Sequence, residues 1–139
     1  MATCDHVTFV AKLTSLHPAL EWVRSCLAGS ELSNTEIGRI ELAVEEVLVN
    51  IISYAYMKEE EGNITLECHF QLGQSVKITV KDWGCPFNPL EYTPIVNLSS
   101  TLEDRKEGGM GIVFIKRLMD RVEYTRSDGA NILTLIKDP

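Results

Sequence analysis

Ile64-Thr65-Leu66-Glu67-Cys68-His69-Phe70-Gln71-Leu72-Gly73-Gln74-Ser75-Val76-Lys77-Ile78-Thr79-Val80 is the stretch on which the fold turns. Ile64, Leu66, Cys68, Phe70 and Leu72 occupy every second place, and Thr65, Glu67, His69 and Gln71 fill the places between. Side chains alternate across an extended strand, so the pattern predicts a strand with one face in a core and one in water. Gly73-Gln74 supplies a turn, and Val76, Ile78 and Val80 resume the period of two. The two runs predict an antiparallel hairpin, closed by Asp82-Trp83-Gly84.

Upstream the period lengthens. Ser33-Asn34-Thr35-Glu36 fits a capping box, in which serine and glutamate satisfy backbone N–H groups at a helix start. The helix is expected to run to about Tyr56, with Ile37, Ile40, Val44, Val47, Leu48, Ile51 and Ala55 as one buried stripe. Glu46 and Asn50, four residues apart, fall together on the side opposite that stripe. An earlier helix is expected from Pro18 to near Gly29, with Leu20, Val23 and Leu27 inward, after an opening strand over Val7 to Leu13.

Downstream, residues 83–108 carry Pro86, Pro89 and Pro94 among polar side chains and read as a long loop, a kind of segment that tends to be functional. Beyond Gly108-Gly109-Met110-Gly111, the positions Ile112, Ile115, Leu118 and Met119 suit a short helix. Val122 to Arg126 and Ile132 to Ile136 then form a final hairpin through Asp128-Gly129. Helices gathered early and strands joined by hairpins imply an α+β sandwich and argue against an alternating Rossmann arrangement.

The 139 residues show no internal repeat and no Pro/Gly/Ser linker, so one compact domain over 1–139 is expected. Thirteen Lys+Arg against twenty Asp+Glu give a net charge of −7, which argues against a broad footprint on nucleic acid but leaves room for one small anion. Apolar stretches end well short of the roughly 18 to 20 residues that span a bilayer, and Met1-Ala2-Thr3-Cys4-Asp5-His6 lacks a basic region followed by an apolar core. No membrane partner and a cytoplasmic location are the expectation. Cys4, Cys26, Cys68 and Cys85 are too scattered for a zinc knuckle and read as structural or incidental thiols. Cys68 and His69 are neighbours that a strand sends to opposite faces, and His6 and His17 read as ordinary surface or loop residues.

Three local features carry chemistry, each with a plainer alternative. Glu46 and Asn50 pair a proton acceptor with a hard amide-oxygen donor suited to Mg²⁺, and are otherwise a solvated helix face. Asp82-Trp83-Gly84-Cys85-Pro86-Phe87 holds a carboxylate where a buried strand ends, with a glycine that lets a flat ligand approach, and is otherwise a strand-end turn. Gly108-Gly109-Met110-Gly111 offers exposed N–H groups and a positive dipole end to phosphate, and is otherwise loop punctuation. The pattern is neither GxxxxGK[ST] nor GxGxxG.

In this order, Glu46-Val47-Leu48-Val49-Asn50, Asp82-Trp83-Gly84-Cys85-Pro86-Phe87 and Gly108-Gly109-Met110-Gly111-Ile112 resemble the N, G1 and G2 boxes of the GHKL ATPase/kinase superfamily. The likeness is nearest to the small bacterial anti-sigma-factor serine/threonine kinases and covers nearly the whole chain. It implies a Bergerat fold: a two-layer sandwich of helices on one face of a mixed, largely antiparallel sheet, with ATP between the helices and a mobile lid. It further implies that Asn50 ligates Mg²⁺, Glu46 is the general base, Asp82 accepts from the adenine amino group, Gly84 makes room for the base, and Gly108, Gly109 and Gly111 let the lid close.

The implied activity is transfer of the γ-phosphate of Mg-ATP to a serine or threonine of an antagonist protein, with a sigma factor or other signalling protein sequestered by partner switching. A homodimer stays open. The alternative is a non-catalytic ATP-binding module that captures a signalling partner. The ATP-binding part of a histidine kinase is a third reading, disfavoured because no helical phosphoacceptor segment accompanies the boxes. Two positions depart from the family: Tyr54 stands where histidine is frequent, and Gly129-Ala130-Asn131 replaces a Gly-Thr-Thr-like pattern.

Overall fold

The structure is a computed structural model and describes residues 2–57, 60–86 and 110–139. Strand β1 (Ala2–Val10) leads through a 3-10 turn, Leu13–Ser15, into helix α1 (Leu16–Leu27) and helix α2 (Asn34–Asn50). A π-helical turn, Ile51–Ala55, follows, then β2 (Asn63–Gln71), β3 (Val76–Asp82), α3 (Met110–Leu118), β4 (Arg121–Ser127) and β5 (Ala130–Lys137). The sheet order is β1-β2-β3-β5-β4, and among the described residues every pairing is antiparallel where the resemblance implied a mixed sheet.

The central hairpin forms as its alternation demands. Ile64, Leu66, Cys68 and Phe70 of β2 and Val76, Ile78 and Val80 of β3 are buried, while Glu67, His69 and Lys77 face solvent. Cys68 and His69 do point apart. Leu72 departs from the expectation, because β2 stops at Gln71 and Leu72 lies in the turn with 71% of its surface exposed. Gly73 takes φ 75° there, a left-handed conformation that glycine adopts without a side-chain clash. The final hairpin turns on Asp128 (φ 51°) and Gly129 (φ 78°), the paired positive angles of a type I′ turn.

Helices α1, α2 and α3 cover the apolar side of the sheet through Val23, Leu27, Ile40, Val44, Leu48 and Ile115, all nearly free of solvent. Each such aliphatic side chain contributes about 1.5–3 kcal/mol by leaving water. Ser33 caps α2, its Oγ accepting from Glu36 N at 3.2 Å. Three boundaries differ from the sequence reading. Helix α1 begins at Leu16, placing Pro18 third, still within the first turn where an N–H has no intrahelical acceptor, and it ends at Leu27. Strand β1 starts earlier and stops at Val10, because it pairs along all of β2 from Ala2↔Gln71 to Val10↔Asn63. Helix α2 ends at Asn50, and the residues expected to continue it form the π turn. Among the described residues no helix is long and apolar enough to cross a membrane.

Candidate functional site

Asp82 ends β3 directly opposite Asn131 of β5. Both occupy core-facing places, Asp82 in step with Val76, Ile78 and Val80, and Asn131 in step with Leu133 and Leu135. They are 4% and 6% exposed, and are the buried polar side chains among the described residues. A buried carboxylate is tolerated only when hydrogen-bonded. Asp82 Oδ1 accepts from Gly84 N at 2.9 Å, closing an Asx turn, and from Asn131 Nδ2 at 3.0 Å. Oδ2 has no partner among the described residues. No enclosed side-chain polar atom among the described residues lacks a partner, so Oδ2 is not sealed off.

The turn after Asp82 is pinned to the end of the long helix. Cys85 N donates to Ala55 O at 3.0 Å, satisfying a carbonyl that a helix end otherwise leaves orphaned. A Cβ on Gly84 would lie 2.2 Å from Ala55 O and 2.7 Å from its carbonyl carbon, so this approach demands glycine. That is a packing reason for Gly84, separate from room for a flat ligand. Trp83 N donates to Tyr56 Oη at 2.8 Å, and Tyr56 Oη donates to Asn63 O at 2.7 Å. Gly62 gives the Tyr56 ring its slot, since a Cβ there would fall 2.2 Å from Cζ. Burial pushes the Tyr56 hydroxyl above its ordinary value, and the Asp82 carboxylate adds to the rise.

Asn50 is the last residue of α2, five positions before Ala55, whose carbonyl meets Cys85 N in the turn after Asp82. Glu46, one turn earlier, and Asn50 are half-buried rather than facing fully away from the core, because both α1 and α3 pack against α2. Neither side chain is engaged in a hydrogen bond or ion pair among the described residues. Gly111 lies in the first turn of α3, the helix that packs on α2. Gly108 and Gly109, Phe87, and the long loop from residue 87 onward lie outside the described residues.

The sequence reading missed Tyr56, Tyr124 and Arg126, and took Asn131 only as a departure from the family. Asn131 had a signal, since it is a polar residue at a core-facing place of an alternating strand. Tyr56 had none, because its partners, Asn63 and Trp83, are made by the fold. Tyr54, noted for the missing histidine, is 55% exposed. Among the described residues no group of three or more His, Cys, Asp or Glu could hold a metal ion.

A buried carboxylate with one oxygen unpartnered stands at the sheet end, and α2 carries a carboxylate and an amide without polar partners among the described residues. The family model for the histidine kinase-like ATPase domain matches residues 9–137. The chain is 32% identical over 105 residues to a serine-protein kinase RsbW of Halalkalibacterium halodurans, a match over 73% of this chain and 62% of that relative. It is 28% identical over 132 residues to the serine/threonine-protein kinase BtrW of Bordetella bronchiseptica, covering 94% of this chain and 91% of that one. The crystal structure of the RsbU and RsbW domains of a Mycobacterium tuberculosis protein superposes with a TM-score of 0.69 at 17% identity, over 98% of this chain and 32% of that one, a likeness of fold. The chain belongs to the histidine kinase-like ATPase domain family, the GHKL group with its anti-sigma-factor kinases to which the three boxes pointed. ATP binding is the property that this family implies.

Proposed function

We propose that the protein is an ATP-dependent serine/threonine kinase of the anti-sigma-factor type, acting in the cytoplasm on a small antagonist protein and holding a sigma factor in alternation with it. The observation that carries this reading is the buried Asp82 carboxylate, whose Oδ1 is occupied by two N–H groups and whose Oδ2 is left for an incoming donor. An exocyclic amino group on a purine matches that demand. Mg-ATP, when bound, supplies the transferable phosphoryl group and the metal charge that offsets the phosphates.

The chain's own residues then divide the work. Asp82 and the 82–85 turn hold the base, and the Asn50 amide oxygen is a hard donor for Mg²⁺. Glu46 takes the proton from the acceptor hydroxyl as its oxygen bonds to the γ-phosphorus, while the bond from that phosphorus to the β,γ-bridging oxygen breaks and ADP leaves. Positioning and charge neutralisation supply most of the acceleration.

Incubation with γ-labelled Mg-ATP and candidate antagonists from the same genome, followed by phosphosite mapping, tests the reading. Label is expected on a serine or threonine of one antagonist. Glu46→Gln should bind Mg-ATP within about twofold of the parent yet transfer at least ~100-fold more slowly. Equal transfer by the variant overturns the base assignment, and partner capture without any labelling by the parent favours the non-catalytic module.

A further inference from the structure

Asn131 sits where β3, β4 and β5 meet, and its amide orientation is fixed by chemistry. Arg126 Nη1 lies 3.2 Å from one end of that amide, and a guanidinium only donates, so that end is the oxygen. Tyr124 Oη donates to the same oxygen at 2.5 Å. Arg126 and Asn131 are register partners, and Tyr124 precedes Arg126 by two residues on the same face of β4. The amide nitrogen must therefore point the other way, where it donates to Asp82 Oδ1 at 3.0 Å and to Cys85 O at 2.9 Å. Arg126 Nη1 also donates to Gly84 O at 2.9 Å, so the hairpin grips the 82–85 turn at two carbonyls.

We propose that Asn131 is a positioning residue that sets nucleobase specificity: held by Arg126 and Tyr124, it binds Asp82 Oδ1 and fixes the carboxylate plane, so that Oδ2 meets the ligand as an acceptor aimed in one direction. The inference rests on the nucleotide reading above and deepens it. Without the Asn131 donor, Gly84 N alone holds the carboxylate, its plane can turn about the Cβ–Cγ bond, and the Oδ2 lone pairs lose their set direction. With that donor in place, the pocket favours a purine whose six-position bears an amino group. A six-oxo purine presents an acceptor to an acceptor and leaves Oδ2 unpaired.

Calorimetry of ATP against inosine triphosphate, which carries oxygen in place of the amino group, tests this on the full chain. The parent is expected to favour ATP by about 100-fold. Asn131→Ala should weaken ATP about 10- to 30-fold while inosine triphosphate stays within about threefold, collapsing the ratio, as loss of one charge-assisted hydrogen bond predicts. Arg126→Ala, which keeps the amide but removes one of the two donors that orient it, should reduce the ratio by a smaller factor of about 3 to 10 and serves if Asn131→Ala does not fold. A parallel fall for both nucleotides in the folded variants, or an unchanged ratio, overturns the positioning role while leaving the kinase reading intact. A parent that binds neither nucleotide overturns both.

Discussion

At the end of β3 and β5, Asp82 and Asn131 are almost wholly buried and are hydrogen-bonded to one another and to the 82–85 turn. One helix away, Glu46 and Asn50 are half-exposed and, among the described residues, touch no polar partner. The proposed roles of the two ends account for the difference. A base is recognised by donors and acceptors already in place when it arrives, whereas groups that meet a metal or a proton must keep their lone pairs for the ligand. The sheet supplies rigidity cheaply, because β3 and β5 are interior strands paired on both sides.

Disturbing one end should therefore cost folding, and disturbing the other should cost only ligand binding. The largest effect is expected from Gly84→Ala, whose new Cβ meets the Ala55 carbonyl. We expect a loss of about 3 kcal/mol, a fall of roughly 10 °C in the thermal midpoint, and weaker ATP binding from the displaced turn. Asn50→Ala comes next and breaks the symmetry. Calorimetry with and without Mg²⁺ should show the metal-dependent part of ATP affinity falling about tenfold or more, roughly 1.4 kcal/mol, with the thermal midpoint unchanged.

Tyr56→Phe should cost about 1 kcal/mol by leaving Trp83 N and Asn63 O without their shared hydroxyl. Its pH dependence sharpens the point. The Tyr56 hydroxyl is raised above 10.0 in the fold, so its contribution is complete below pH 10 and is lost as pH rises through the folded value. Alkaline unfolding followed by circular dichroism should show a shallower decline above pH 10 in the variant than in the parent. The smallest effect has the opposite sign. Gly38 lies inside α2 with open space around its Cβ position, and Gly38→Ala should raise stability by about 0.5–1 kcal/mol without altering nucleotide affinity.

Much of this was legible along the chain. The period-two run of β2 and β3 and the Asp128-Gly129 turn are local features that formed as read, and of the capping box the Ser33 half formed, Glu36 N donating to Ser33 Oγ. Asp82 was legible as a carboxylate at a strand end because Val76, Ile78 and Val80 fix its face. The π turn was not legible: Ile51 to Ala55 read as ordinary helix, and nothing local marks the place where the carbonyl of Ala55 turns to meet Cys85. Gly84 was read as room for a ligand, while its Cβ direction is filled by a residue 29 positions earlier.

The chain by itself determined the order of helices and strands, most of the buried faces and the side-chain types on offer for chemistry, since periodicity and side-chain type depend only on neighbours a few positions apart. Tertiary structure alone decided that Ala55 would abut Gly84, that Tyr56 would join Asn63 to Trp83, and that Asn131 would turn its nitrogen to Asp82. Those contacts join residues far apart in sequence, and their hydrogen-bond directions exist only once the strands have found their register.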